Sequence, residues 1–450
     1  MPTKELYYIP LYLAVIYLIA LVVRNKFYPE GPLRKYFIPA LTVKLIGAIG
    51  AGVIYFYYYQ DGDTVYYYYR ITYFNWLFSV NSSAAWKALF ADTTRYHPQI
   101  QSFLDAMRAW DTSQFLVVRF GAVLSLIVGK NYWGIALAFA VLSFTGVWAL
   151  FRTFRDINPH LTREFAISCL FIPSVFFWGS GVFKDTIAIG FIGWLTHAVY
   201  MIFIKRKNLL VNIPVFLFSF YILMIIKAYI VMAFIPSLLF WIFFKYRSRI
   251  QNKFLRLSIT PLIILFSVSG AYIALTNMSA GGGYWSLDEI SDRAKDMQWW
   301  HTKVVELYGE GGGGSYYSIG SGDFSLGNII QSFPLAVNVT LFRPYLWEVH
   351  NPVMFLSALE SLALFIFTLR IIFSVGFGAI FRISIANPEV FFALLFSIIF
   401  AFAVGFTSFN FGALVRYKIP CIPFYVMALF IIRYHANMAK NAGALAVTEK

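Results

Sequence analysis

The feature that most constrains this chain is a succession of apolar stretches, each long enough to cross a bilayer as a helix. The hydrocarbon core holds no water for backbone N–H and C=O groups, so a crossing segment satisfies them internally by forming a helix. Hydrophobic residues make up 60% of the chain and charged residues only 13%, well below the share in soluble domains. The sequence therefore predicts an all-α, polytopic helical bundle in a membrane.

Length and hydropathy predict about 11 transmembrane helices, within a range of about 11 to 13. They are Tyr7–Val23, Ile38–Tyr59, Tyr132–Phe151, Glu164–Ser180, Thr186–Ile204, Leu209–Ile226, Tyr229–Phe244, Leu257–Leu275, Pro352–Ile372, Val390–Thr407 and Ile419–Arg433. Residues 1–450 would then form a single transmembrane domain with two long loops, at about 60–131 and 276–351. The apolar segment Ser113–Lys130 carries Arg119, and we interpret it as interfacial or re-entrant, although a crossing there would change the topology.

Clusters of Lys and Arg orient the predicted spans. They follow the first, third, fifth and seventh spans, within residues 24–35, 152–163, 205–207 and 245–256. Because cytoplasmic loops carry an excess of basic residues, we expect these clusters on the cytoplasmic side and both long loops on the external side. The same bias explains the net charge of +15, and no basic soluble region indicates that the chain binds nucleic acid.

The two external loops differ in composition. The first contains helical patterns such as Ala84–Phe90, which predict amphipathic helices lying on the membrane. The second contains glycine runs at residues 281–283 and 311–314. These runs lack the lysine and the strand–helix setting of a nucleotide-binding loop, so they indicate a flexible loop.

Four sets of polar residues lie at the external ends of predicted spans. The sets are Asp61 and Asp63; Lys184 and Asp185; Arg343 and Glu348; and Arg416, Tyr417 and Lys418. Each set alone is typical of a solvated loop, and the second set could instead be a structural ion pair. Together, acids and bases at one depth beside apolar helices predict a polar cavity for an anionic head group and a hydroxylated ligand.

This layout resembles the GT-C superfamily of integral membrane glycosyltransferases, which includes protein O-mannosyltransferases and the aminoarabinose transferase that acts on lipid A. The resemblance rests on Asp61 and Asp63 after a span, on the stretch from Pro173 to Asp185, and on Arg416-Tyr417-Lys418-Ile419-Pro420 at a late helix. The chain departs from the family in an additional amino-terminal span and in the expected lack of a soluble carboxyl-terminal domain.

The resemblance implies an inverting glycosyltransferase of a bacterial inner membrane, with its active site on the periplasmic face. The donor would be a sugar on polyprenyl phosphate, and the acceptor a glycan, a lipid or a protein. Asp63 or Asp61 would deprotonate the acceptor hydroxyl, and a Mg or Mn ion between these two carboxylates is an open expectation. The substrate and its phosphate would be bound by Arg416, Lys418, Lys184, Asp185, Arg343, Glu348 and Tyr417.

Other classes of membrane protein stay open. Polymerases or ligases of lipid-linked polysaccharide repeats share similar motifs. A transporter or flippase of a lipid-linked glycan would need charges near mid-membrane in broken helices. Mid-span charges are few, however, with Lys44 in the second predicted span and Lys227 and Glu360 near span ends. A structural subunit without activity would not need acids and bases on one face.

Overall fold

The structure, a computed structural model, describes residues 2–247, 326–408 and 410–448, together with isolated positions between 250 and 317. These residues are predominantly helical, and no β-strand occurs among them. Contacts along the chain divide the protein into two compact units, Met1–Ala228 and Tyr229–Lys450. The predicted all-α fold class is therefore confirmed for the described part of the chain.

Unit 1 consists of long helices connected by shorter ones. Its helices are α1 (Ile9–Phe27), α2 (Pro32–Val53), α3 (Asp63–Val80), α4 (Ser82–Phe90), α5 (Gln101–Ala106), α6 (Thr112–Val128), α7 (Tyr132–Ile157), α8 (Thr162–Leu170), α9 (Pro173–Trp178), α10 (Lys184–Val199) and the first part of α11 (Leu209–Tyr246). Wider π-helical turns extend α2 over Ile54–Tyr59 and α10 over Tyr200–Lys205.

Unit 2 begins within α11. Its other helices are α12 (Leu326–Phe342), α13 (Pro352–Val375), α14 (Phe377–Ala386), α15 (Pro388–Ser408), α16 (Phe411–Tyr417) and α17 (Ile422–Thr448).

The described residues contain seven helices that are long and apolar enough to cross a membrane, or eight if α16 and α17, bent by 62°, form one span. The seven are Glu5–Phe27, Pro32–Tyr59, Tyr132–Ile157, Lys184–Lys205, Leu209–Tyr246, Pro352–Val375 and Pro388–Ser408. The predicted membrane character is thus confirmed, but the predicted count of about 11 is not.

Three predicted spans are arranged differently in the structure. Glu164–Ser180 is not one helix but α8 followed by α9, since Pro173 has no N–H with which to continue the hydrogen-bond ladder of α8. The two spans predicted on either side of Lys227 correspond to the two parts of α11, which is kinked at Lys227, where the backbone leaves helical dihedrals with φ −156° and ψ 77°.

Part of the prediction lies beyond the described residues. The span Leu257–Leu275 falls largely outside them, and so do both glycine runs of the second loop. In the first loop, the predicted helix at Ala84–Phe90 is present as α4, and the segment interpreted as interfacial or re-entrant forms α6.

Unit 1 has two ends with distinct contacts. At one end, the Glu5 carboxylate accepts hydrogen bonds from the Tyr68 hydroxyl and the Tyr132 amide, both at 2.9 Å. At the other end, the Asp156 carboxylate accepts from Tyr200 at 2.7 Å and pairs with Lys205 at 3.0 Å. The helices α7 and α10 therefore run in the same direction between these ends, so the chain between them must return along the bundle.

The segment formed by α8 and α9 makes this return alongside α2. The ring of Tyr36 lies 6.3 Å from that of Phe171, and the ring of Tyr55 lies 5.3 Å from that of Phe183. Between them, the buried Lys44 ammonium donates to the Gly179 carbonyl at 2.6 Å. Lysine at this position satisfies a carbonyl that the broken helix leaves without a backbone donor.

Helices α7 and α10 approach closely because glycines face each other. A Cβ added to Gly146 would lie 1.8 Å from the Gly190 carbonyl oxygen, and one added to Gly193 would lie 2.1 Å from the Gly146 oxygen. Small residues allow this close backbone packing in membrane bundles. The contact fixes α10, whose first residue is Lys184.

In unit 2, part of the predicted second loop packs within the helices. The Thr340 hydroxyl of α12 donates to the Ala401 carbonyl of α15 at 2.7 Å, and Gly405 lies against Ala336. After α12, the Arg343 carbonyl accepts a hydrogen bond from Ser361 at 3.1 Å, well inside α13. Within the predicted second loop at about 276–351, residues 326–342 thus form a helix packed in unit 2, and the external position of this loop stays a prediction.

Candidate active site

Asp61 and Asp63 follow a turn that requires glycine between them. Gly62 has φ +113° and ψ −178°, a region that L-residues rarely occupy, and an added Cβ would lie 2.6 Å from the Tyr55 ring. The turn ends the π-helical extension of α2 and starts α3 at Asp63. A carboxylate at this first helical position interacts favourably with the positive end of the helix dipole.

Both carboxylates are exposed, but they have different neighbours. Asp61 forms a hydrogen bond with the Tyr66 side chain, and this bond raises the pKa of Tyr66 above its ordinary value. Asp63 interacts electrostatically with the Lys184 ammonium. Tyr66 lies three positions after Asp63 in α3, yet its hydroxyl pairs with Asp61 and not with Asp63.

Lys184 lies at the centre of this group. Its ammonium donates to the Ser113 hydroxyl at 2.6 Å and lies 4.0 Å from an Asp111 carboxylate oxygen. The side chain keeps 24% of its surface exposed, so Lys184 is oriented by the protein but not fully enclosed by it. It also interacts electrostatically with Asp63 and Asp185.

Asp111 holds Lys184 and caps α6. Its carboxylate accepts hydrogen bonds from the Gln114 amide at 3.0 Å and the Ser113 hydroxyl at 2.7 Å. Burial raises the pKa of Asp111, but Lys184 and these hydrogen bonds lower it more, so the pKa lies below its ordinary value. Asp111 is therefore a carboxylate fixed in its charged form beneath Lys184.

Asp185 forms a separate, buried ion pair. Its carboxylate binds the Lys227 ammonium, and the two side chains retain 1% and 5% exposure. Lys227 is the residue at which α11 loses helical dihedrals, so the ion pair joins the start of α10 to the break in α11. Lys184 and Asp185 thus bind different partners, and the alternative in which they form one structural pair is wrong.

The predicted polar residues of unit 2 form a second group. The Arg343 guanidinium pairs with the Glu348 carboxylate and stacks over the Phe411 ring, 5.0 Å from its centroid. Lys418 is 1% exposed and donates to the Ser361 hydroxyl at 3.0 Å and to the Arg343 carbonyl at 3.3 Å.

The last two predicted residues of unit 2 follow at the end of a short helix. Arg416 and Tyr417 are half-buried in the last turn of α16, just before the 62° bend. Their predicted role in binding phosphate stays a prediction.

Several residues of the unit 1 group were not predicted from the sequence. They are Asp111, Ser113, Lys227, and the pair of Arg70 with Gln114 at 3.0 Å. A signal for the first was present, because an aspartate followed three residues later by glutamine before an apolar run is typical of a helix start. The partnership of Lys227 with Asp185 has no such signal, since 42 positions separate them.

Metal binding was an open expectation at Asp61 and Asp63. Among the described residues, no group of three or more His, Cys, Asp or Glu side chains is arranged to hold a metal ion. A metal bound by these two carboxylates together with substrate oxygens stays a prediction.

The sequence matches no family model, no curated protein and no solved structure. What the site can do chemically must therefore follow from its own residues.

Proposed function

We propose that the protein is a membrane glycosyltransferase that moves a sugar from polyprenyl phosphate to an acceptor hydroxyl at the Asp63 end of unit 1. The observation that supports this most is the partly exposed Lys184 side chain, whose ammonium is held by Asp111 and Ser113 and interacts electrostatically with Asp63. A cation and a carboxylate at one exposed position are what phosphate departure and acceptor deprotonation require.

In the proposed reaction, Asp63 takes the proton of the acceptor hydroxyl while the hydroxyl oxygen attacks the anomeric carbon. The bond from that carbon to the phosphate oxygen breaks, and the phosphate leaves with the electron pair. The Lys184 ammonium stabilises the negative charge that develops on the phosphate. Asp61, bound to Tyr66, orients the neighbouring turn, which makes Asp63 the better candidate for the base.

An apolar groove in unit 1 offers a place for the lipid tail. It has a volume of about 240 Å³ and begins at Thr186, two residues after Lys184. Ile187, Phe191 and Trp194 of α10 and Phe218 of α11 line it. A polyprenyl chain in this groove would stay in hydrocarbon while its phosphate reached Lys184. We propose that the protein lies in the bacterial inner membrane, with the Asp63 end of unit 1 on the periplasmic side.

Transfer of labelled hexose from polyprenyl phosphate to envelope acceptors tests this function directly. We expect Asp63→Asn to lower the transfer rate by about 100-fold to 10,000-fold, since asparagine keeps the size but loses the basicity. Asp105→Asn is the matched control, because Asp105 is an exposed acid of the same loop whose carboxylate accepts a hydrogen bond from the Gln101 side chain. Transfer by the Asp63→Asn variant at the wild-type rate would contradict the proposal.

A transporter or flippase of a lipid-linked glycan is the second candidate. The Asp185–Lys227 ion pair at the break in α11 favours it, because transporters place charges at interrupted helices within the bundle. Proteoliposomes that contain a fluorescent polyprenyl phosphate distinguish the two functions. Exposure of the label to an impermeant quencher without any sugar transfer would favour the transporter, and transfer without movement of the label would favour the enzyme.

A polymerase or ligase of lipid-linked repeats would use the same polar group with a different acceptor. Supplying the donor together with a second lipid-linked glycan, and then measuring product length, separates this alternative from transfer of a single sugar. Products that grow by whole repeats would identify a polymerase.

A further inference from the structure

A second groove, bordered by polar side chains, lies between α13 and α17 of unit 2, several helical turns from Lys418. It has a volume of about 600 Å³ and is bordered by the last turns of α13 and the middle of α17. The two helices run in the same direction here. The Thr368 and Tyr425 hydroxyls lie 3.1 Å apart, and farther along both helices the Lys440 ammonium donates to the Ser374 carbonyl at 2.8 Å.

Each helix contributes an arginine and, one turn later, a small polar side chain. On α13 these are Arg370 and Ser374, and on α17 they are Arg433 and Asn437. Residues four apart lie on one face of a helix, so both pairs line the groove over the same length. The groove therefore presents two guanidinium groups and two neutral hydrogen-bonding side chains to whatever occupies it.

These two positive charges are not neutralised within the described chain. Both arginines are exposed, and no salt bridge among the described residues joins Arg370 or Arg433 to a carboxylate. Two like charges beside an apolar bundle repel each other, and an anion between them removes that repulsion. Guanidinium groups bind phosphate oxygens through paired N–H donors, which makes a phosphate the best-matched anion.

The remaining wall of the groove is apolar. Ile366 lies one turn before Arg370, and Phe367 lines the groove while packing against Phe430 with ring centroids 4.9 Å apart. The groove is thus hydrocarbon-like toward the middle of α13 and basic toward its end. That gradient fits a phosphate that is attached to an acyl chain better than it fits a free phosphate in water.

The neighbouring helix α14 indicates the depth of the basic end. Phe373, near the end of α13, is 82% exposed, and Phe377 and Phe381, four residues apart on α14, are 74% and 69% exposed. Such an exposed apolar stripe on a short helix is typical of a helix lying at the membrane interface. The arginines next to it would then be at the level of the lipid head groups, where their long side chains reach water.

We propose that this groove binds the phosphate head group of an anionic phospholipid, with Arg370 and Arg433 holding the phosphate and an acyl chain lying along Ile366 and Phe367. Basic pockets between transmembrane helices commonly recognise anionic lipids in this way. The proposal is independent of sugar transfer, because it concerns different residues from the group around Lys184.

Native mass spectrometry of the full-length protein released from detergent tests this site, with phosphatidylglycerol and phosphatidylcholine as probes. We expect wild type to retain phosphatidylglycerol in preference to phosphatidylcholine. The Arg370→Gln, Arg433→Gln double variant should weaken phosphatidylglycerol binding about tenfold or more, since each charged hydrogen bond to phosphate contributes about 1.5–3 kcal/mol and 1.4 kcal/mol is tenfold. The double lysine variant should restore part of it, because an ammonium lacks the planar fork.

Arg382→Gln is the matched control, since Arg382 is an exposed arginine on α14 that does not line the groove. This control should bind phosphatidylglycerol like wild type. Equal binding by wild type and the double glutamine variant would overturn the proposal, and so would displacement of the lipid by equimolar glycerol phosphate, which would identify a site for soluble phosphate. If the double variant does not fold, the single Arg433→Gln variant is compared with Arg382→Gln, and equal affinity in those two also overturns the proposal.

Discussion

The polar group around Lys184 in unit 1 and the polar group around Lys418 in unit 2 look equivalent in the sequence but differ in the structure. Lys184 retains 24% of its side-chain exposure and is held by a carboxylate and a hydroxyl. Lys418 is 1% exposed and binds Ser361 and a backbone carbonyl, while the nearby Arg343 is paired with Glu348. A ligand-binding cation and a structural cation differ in their hydrogen-bond partners and in their exposure. A sequence motif specifies neither of these properties.

The largest loss of stability is expected from breaking the buried ion pair of Asp185 and Lys227. Lys227→Met leaves the Asp185 carboxylate buried without its cation, and removal of one partner of a buried pair costs about 3–5 kcal/mol. Thermal unfolding of the purified protein in detergent measures this loss. A Lys227→Met variant as stable as wild type would contradict the ion pair seen at the break in α11.

A surface ion pair provides the control for this measurement. Asp92 and Arg95 lie 3.1 Å apart, with side chains 49% and 80% exposed. An exposed pair contributes about 0–1 kcal/mol because water screens it and side-chain entropy opposes it. Arg95→Gln should therefore change the unfolding temperature far less than Lys227→Met.

A smaller effect is expected at the turn that positions Asp63. Gly62→Ala places a residue with Cβ in a backbone region that costs about 1–3 kcal/mol, and the added Cβ collides with the Tyr55 ring. Gly31→Ala has a similar backbone strain, with φ +87°, but no atom lies within 4 Å of its added Cβ. We expect Gly62→Ala to lose more thermal stability and more sugar transfer than Gly31→Ala. Equal losses would show that the Tyr55 contact does not position the turn.

Removing the structural cation of unit 2 should have a modest effect on stability alone. Lys418→Met deletes two hydrogen bonds, but the Ser361 hydroxyl still donates to the Arg343 carbonyl, so the loss costs only about 1–2 kcal/mol. Unfolding by heat measures that cost, and binding of polyprenyl phosphate should not change. Loss of lipid binding without loss of stability would support the ligand-binding role that the sequence motif predicted for Lys418.

The long helices could be predicted because their apolar length alone requires them to cross a membrane, as at Tyr132–Ile157. The break between α8 and α9 follows from Pro173 and could have been anticipated. The position of Lys227 at a kink within α11 could not be predicted, because a charge between apolar runs usually indicates a loop, and here Asp185 pairs with it from a distant part of the chain. The positions of Asp61 and Asp63 were predicted from their place after a span, whereas Asp111 became part of the site only through tertiary contact with Lys184.

The smallest effect is expected from the titration of Asp111. Its pKa is lower in the folded protein than in the unfolded chain, where it is about 3.9. Its contribution to stability is therefore fully present above that value and is lost as the pH falls through the lower folded pKa. Unfolding temperatures measured below pH 4 should show a smaller decrease for Asp111→Asn than for wild type. Identical decreases would contradict the contact of Asp111 with Lys184.

The affinity of the purified protein for polyprenyl phosphate tests the central claim most directly, with wild type, Lys184→Gln and Lys418→Met measured side by side. Loss of a charged hydrogen bond to phosphate corresponds to about tenfold or more in affinity, so Lys184→Gln should bind correspondingly more weakly. Lys418→Met should bind like wild type, because its ammonium is buried against neutral oxygens. Unchanged affinity in Lys184→Gln together with a loss in Lys418→Met would contradict the assignment of the ligand-binding cation to unit 1.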